Sequence, residues 1–187
     1  MNPTAAMIPP ALLPMVRYLD GLKGRAPLPE LQARLELSRI ALADVSAFAQ
    51  FDPVRYRRNV VAEGNWYSLL VLCWRSGQRS PIHDHAASTC AFKVLAGICS
   101  ETVYDFSPCG QVVPWGTRDY AAGEIVATQD TDTHQVSNLQ PPGRDLVTLH
   151  LYSPPLHAMH RFSILGAGSD DWRASGADLD LRDGKAI

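Results

Sequence analysis

Several features are scarce or missing in this chain, and each absence excludes something. Its four cysteines, at 73, 90, 99 and 109, form no C-x-x-C pair. That excludes a zinc knuckle and a thioredoxin-type dithiol. Cys73, Cys99 and Cys109 are expected to be small buried apolar residues. Neither charge sign dominates: 17 Lys+Arg against 19 Asp+Glu give a formal charge of −2, which argues against a nucleic-acid partner. No apolar run approaches the roughly 20 residues of a membrane helix, so no membrane partner is expected. The opening MNPTAAMIPPALLPMV lacks a basic start and is interrupted by Pro3, Pro9, Pro10 and Pro14, a poor match to a signal peptide. A cytoplasmic location without structural disulfides is the expectation. Internal repeats and low-complexity tracts are also missing.

The chain has 187 residues, 46% hydrophobic and 19% charged, enough for one globular domain with a real core. Residues 1–53 read as a helical segment. Leu12, Val16, Leu19 and Leu22 recur at helical spacing, with Gly24 as a stop. Pro29 then sits near the start of a second run, whose face is marked by Leu28, Leu31, Leu35, Leu42 and Val45. From residue 54 the texture changes. WYSLLVLCW (66–74), CAFKVLAG (90–97), SETVYDF (100–106), EIVAT (124–128), HQVSN (134–138), DLVTLHLYS (145–153) and HRFSIL (160–165) are short strand-like runs punctuated by glycine and proline. The spacing predicts a mainly β core over 54–165, a sandwich or barrel with the helices packed against it. The polar residues 166–187 are expected to wrap the surface or fray, as part of the same domain.

All six histidines lie in the β-rich half, at 83, 85, 134, 150, 157 and 160. His83 and His85 alternate, so an extended strand would point both rings at one ion. The spacing of Gly77, His83, His85, Cys90 and Gly97 resembles the first cupin motif, with Cys90 where an acid normally stands. Gly123, Gln129, His134 and Asn138 are similar to the second, with Gln129 in place of its usual proline and Thr131 in place of its internal glycine. The resemblance implies a cupin (jelly-roll) barrel and a metal held by His83, His85 and His134. With Cys90 in the acid position, three neutral imidazoles would leave a divalent charge uncompensated and favour an anionic ligand such as a thiolate. Zinc would suit three histidines as well as iron does.

A closer resemblance settles that choice. YRRNVVAEGNWYSLLVLCWRSGQRSPIHDHAASTCAFKVLAGICSETVY (56–104), HQVSN (134–138) and TLHLYSPPLHAMHRF (148–162) look like the core of the cysteine dioxygenase family. The resemblance implies Fe(2+) on the three histidines and a small-molecule thiol, L-cysteine, as substrate. Oxygen would be the co-substrate, with both oxygen atoms ending on sulfur as cysteine sulfinic acid. Arg58 matches the arginine that clamps the substrate carboxylate, a task suited to a planar guanidinium. Tyr56 matches another pocket position. Thr148, His150 and Tyr152 share one face of a strand and stand where the family has a Ser-His-Tyr relay. Tyr152 and His150 are therefore the expected catalytic pair, with Thr148 supporting them. Cys90 and Tyr152 match two positions joined by a thioether in some members. His160 matches a supporting position behind the pocket, and Met159 replaces a cysteine of some relatives.

Two other readings stay open on the sequence. A dioxygenase for 3-mercaptopropionate or mercaptosuccinate would share the histidines, although 3-mercaptopropionate relatives typically carry glutamine for Arg58 and glycine for Cys90. A redox-inert metal cupin, or one that only senses a thiol, would keep the metal site without oxygen chemistry. The family is often monomeric, and nothing in the sequence demands an interface.

Overall fold

The computed structural model describes residues 8–129, 132–166 and 168–173. A 3-10 turn at Pro10–Leu12 runs into α1 (Leu13–Asp20), with Pro14 in the first turn, where its missing N–H is no loss. α1 buries Met15, Val16 and Leu19 and ends before Gly21, three residues short of the expected stop at Gly24. α2 (Leu28–Leu37) buries Leu31 and Leu35. The second helical run is thus interrupted. Ser38 takes an extended conformation, and a separate 3-10 stretch covers Leu42–Phe48, its first turn closed by the Asp44 carboxylate on the Ala41 N–H. Leu31, Leu35, Val45 and Phe48 still bury one apolar side, so the pattern reports burial correctly while the backbone changes type.

Eleven strands follow among the described residues: β1 (Arg57–Gly64), β2 (Tyr67–Trp74), β3 (Ile82–His83), β4 (Thr89–Ala96), β5 (Ile98–Phe106), β6 (Val112–Ala121), β7 (Ile125–Gln129), β8 (His134–Ser137), β9 (Leu146–Ser153), β10 (Ala158–Phe162) and β11 (Ser169–Arg173). They form two antiparallel sheets ordered β1-β2-β9-β4-β7 and β11-β10-β3-β8-β5-β6. This is the double-sheet arrangement of a cupin jelly roll.

The period of two along β2 and β9 explains their continuous apolar runs. Leu69, Val71, Cys73, Leu149 and Leu151 pack into one cluster with the helices, on the outer face of the first sheet. Leu70, Leu72, Trp74 and Tyr152 face the opposite way, into a second cluster between the sheets. Both faces of these strands are therefore dry. β6 behaves in the opposite manner: it is the edge of the second sheet and is exposed along nearly its whole length, with Trp115 at 79%. No apolar alternation marks it, and Pro114 and Gly116 read as turn residues, which is why the sequence pattern passes over it. The expected surface tail begins instead as an ordered edge strand, β11, paired with β10; residues 174–187 lie outside the described residues. Cys73, Cys90 and Cys99 are buried, but Cys109 is exposed, contrary to its expected burial.

One glycine is required by geometry. Gly97 turns β4 into β5 at φ 80°, and a Cβ there would collide with the Asp145 carbonyl and the Gln140 amide.

Candidate functional site

β3 and β8 meet at a single pair, His83 opposite His134. β3 is short: it ends at His83, so His85 stands just beyond the strand rather than on it. Asp84 shapes this exit. Its Oδ1 accepts the Ala86 N–H at 3.1 Å, and Ala86 takes φ 48°, so the chain turns sharply after His85. All three rings nevertheless converge, with centroids 4.7 to 5.3 Å apart. One ligand atom from each lies within 4.8 Å of the others.

The tautomers follow from the outer partners. His83 Nδ1 lies 2.9 Å from the Pro81 carbonyl, which only accepts, so Nδ1 carries the proton. His134 Nδ1 lies 2.6 Å from Glu101 Oε1 and likewise donates. His85 Nδ1 has a longer contact, 3.5 Å, to the Thr128 hydroxyl. The Nε2 lone pairs of His83 and His134 are thereby left for the centre, and buried His134 Nε2 has no hydrogen-bond partner. A buried, unpaired imidazole nitrogen among two others is what a divalent metal would satisfy. Burial, with the neighbouring histidine adding to it, holds His83 down to about 3 and His85 well below the usual histidine value. Both are therefore neutral and ready to ligate at neutral pH.

Of the other expected residues, Tyr56, Arg58, His150 and Tyr152 line the same cavity. Arg58, on β1, is 7% exposed, and its Nε has no partner. Its guanidinium carbon sits 5.7 Å from the Tyr152 ring centre. Tyr56 stacks on Trp74 with centroids 4.1 Å apart. Along β9, Thr148, His150 and Tyr152 are joined as their spacing suggests: His150 Nε2 to Thr148 Oγ1 at 2.9 Å, and His150 Nδ1 to the Tyr152 hydroxyl at 3.1 Å.

Trp74 Nε1, a donor only, gives its proton to Thr148 Oγ1 at 3.1 Å. Thr148 then donates to His150 Nε2, and His150 donates from Nδ1 to the Tyr152 oxygen. The Tyr152 hydroxyl then keeps its own proton, with the Cys90 sulfur within its reach. Burial lowers His150 and raises Tyr152 well above its usual value, so the imidazole is neutral and the phenol protonated. Cys90 faces Tyr152 directly in the β4–β9 register and makes a side-chain hydrogen bond with it. Burial raises the Cys90 thiol.

His160 does not line the cavity. It is half exposed, with Nδ1 2.6 Å from Asp84 Oδ2, while Asp84 Oδ1 accepts the His160 backbone N–H. It thus reaches the site only through the residue between His83 and His85. Sequence reasoning missed Glu101, the carboxylate behind His134. Its only signal is a lone acid on the buried side of β5, between Cys99 and Val103.

A jelly roll whose cavity gathers three buried histidines with convergent ligand atoms defines a metal-binding cupin. The comparisons narrow that class. Residues 29–164 match the family model for cysteine dioxygenase type I. The chain is 33% identical over 168 residues to cysteine dioxygenase type 1 of Rattus norvegicus, covering 87% of this chain and 84% of that one. The Homo sapiens cysteine dioxygenase type 1 matches at 32% identity over 168 residues, with the same shares covered. Among solved structures, a conserved protein with a double-stranded β-helix domain from Klebsiella pneumoniae superposes with a TM-score of 0.54 at 18% identity. It covers 67% of this chain and 93% of that one, a likeness of fold. The chain belongs to the cysteine dioxygenase type I family.

Proposed function

We propose that the protein is a thiol dioxygenase that converts L-cysteine and O2 to cysteine sulfinic acid, with Fe(2+) held by His83, His85 and His134. The observation that carries this reading is Arg58: a buried guanidinium with an unpaired Nε, in the same cavity as three convergent histidines. An isolated buried cation is costly, and an anionic substrate group offsets that cost. The α-carboxylate of an amino-acid thiol fits, because a guanidinium can grip it with two parallel hydrogen bonds.

Iron, when bound, supplies the centre at which the thiol sulfur and dioxygen react. The chain's own residues do the rest. Arg58 fixes the carboxylate and thereby aims the sulfur. Tyr152 keeps its hydroxyl proton at neutral pH and can donate it into the cavity, since His150 occupies the oxygen from behind. His150 is locked in one tautomer by Thr148, which Trp74 fixes in turn. Tyr56, stacked on Trp74, walls the pocket. The reaction balances without another reductant: one thiol and one O2 give one sulfinic acid, both oxygen atoms on sulfur.

The opposed Cys90 and Tyr152 support a thioether between Sγ and a carbon of the tyrosine ring. Its formation breaks the S–H bond and one ring C–H bond and releases two protons and two electrons, which reduce one O2 to H2O2. The bond would hold the ring still beside the histidines. Intact mass reads it directly as a loss of two hydrogens that Cys90→Ala abolishes.

A steady-state comparison of thiols tests the substrate. The highest kcat/KM is expected for L-cysteine. A higher value for 3-mercaptopropionate or mercaptosuccinate would keep the chemistry and overturn the substrate assignment.

A further inference from the structure

We propose that Glu101 is a positioning residue of the metal centre that supplies, through His134, the negative charge its three-histidine triad lacks. The inference rests on the metal reading above. Where many cupins carry an acid among the ligands, this chain has Cys90. The acid has not vanished; it has moved one layer out. In the β5–β8 register Val103 faces His134, and Glu101, two residues along the same strand, shares that face. Its carboxylate comes within 2.6 Å of His134 Nδ1, with both side chains almost wholly buried.

The three rings are not equivalent. His83 donates to a neutral backbone carbonyl and His85 touches a hydroxyl at 3.5 Å. His134 alone of the triad faces a carboxylate. A short hydrogen bond from Nδ1–H to a carboxylate pushes electron density toward Nε2 and makes it a stronger donor to a metal.

A second observation points the same way. Among the described residues no lysine or arginine is seen to pair with Glu101; its carboxylate meets the His134 ring and the Tyr120 hydroxyl. Tyr120 donates to Glu101; burial raises its hydroxyl, and the carboxylate raises it further. A buried carboxylate without a fixed cation is unfavourable unless a positive charge comes from elsewhere. A divalent ion one imidazole away provides that charge. Glu101 would thus compensate one of the two charges of a divalent ion on the triad. With Glu101 counted, a thiolate on the ion, a carboxylate on Arg58 and a neutral amine leave the whole substrate complex neutral.

Glu101→Gln isolates the charge. It keeps the volume and a carbonyl oxygen to accept the Nδ1 proton, so ring orientation survives while the negative charge is lost. Co2+ and Zn2+ affinities of wild type, Glu101→Gln, Glu101→Asp and Thr128→Val would be measured by competition with a chromophoric chelator. Thermal melts with and without metal would accompany them. We expect Glu101→Gln to weaken both metals about 10- to 100-fold, to shrink the metal-induced rise in Tm, and to raise the ferric/ferrous potential of the iron-loaded protein. Glu101→Asp, which retains the charge, should recover most of the affinity if the glutamine variant folds poorly. Thr128→Val should change little. Equal metal affinity and potential in wild type and Glu101→Gln would overturn the proposal. A wild type that binds neither ion would overturn the three-histidine reading, and this inference with it.

Discussion

Replacing Arg58 by glutamine separates substrate recognition from metal chemistry. The guanidinium is buried and its Nε unpaired, so a carboxylate entering the cavity would receive two charge-assisted hydrogen bonds. Each such bond is worth about 1.5–3 kcal/mol. Glutamine retains one neutral donor, which reduces the expected loss to about 3–4 kcal/mol. At about 1.36 kcal/mol per decade, kcat/KM for L-cysteine should fall roughly 10²- to 10³-fold. Cysteamine has the same thiol and amine without the carboxylate, so its kcat/KM should change less than about threefold if Arg58 acts only on the carboxylate. Metal affinity should not fall, because Arg58's charge helps to depress His83 and His85 and its removal relieves the centre. Oxygen uptake with both thiols, beside metal analysis of the variant, measures all three. Equal losses for cysteine and cysteamine would refute the carboxylate role, and so would full retention of cysteine turnover.

Three other outcomes follow from the same geometry. Tyr152→Phe removes the hydroxyl that accepts the His150 Nδ1 proton and can donate into the cavity. We expect kcat to fall about 10²- to 10⁴-fold, the range for a positioned proton donor, with KM for L-cysteine little changed. A KM-only effect in steady-state kinetics would contradict it. Acidification should destabilise the metal-free protein. His83, His85 and His150 all have depressed values when folded, so below about pH 6.5 the unfolded chain binds protons that the native state refuses. The limiting slope is about 4 kcal/mol per pH unit for three such groups. His160, raised first by its hydrogen bond to Asp84, has the opposite sign and acts above that window. Urea midpoints that stay flat or rise between pH 6.5 and 5 would refute the assignment. Ser153→Ala should cost about 1–3 kcal/mol in the same assay, since Ser153 Oγ accepts the Ala26 N–H and donates to the Trp66 carbonyl, both at buried or partly buried positions. An unchanged midpoint would show that those groups find other partners.

Periodicity made the central strands legible because they are dry on both faces: Leu69 to Trp74 and Leu146 to Leu151 could scarcely be anything but core. It failed where solvent erases the pattern, on β6, and where a helical run changes type without changing its buried side, around Ser38. β1 escaped notice for a related reason. RRNVVAEG opens on two arginines, of which Arg58 is buried, so its start does not read as a strand. The site was easier to read than the fold. The motif spacing marks His83, His85 and His134, and the resemblance to the family marks Arg58, Tyr56, Thr148, His150, Tyr152 and Cys90, which the fold brings close to them. Glu101 stayed hidden because its partner lies 33 residues away and only the β5–β8 register joins them. His160 reaches the site only through Asp84, a link that depends on how β10 lies along β3.

The central claim is tested most directly by oxygen consumption of the anaerobically iron-loaded protein on addition of L-cysteine, with cysteine sulfinate quantified in the same sample. The account predicts one sulfinate formed per O2 consumed, and no consumption by a His83→Ala variant. Consumption without sulfinate, or none with L-cysteine, 3-mercaptopropionate or mercaptosuccinate, would contradict it.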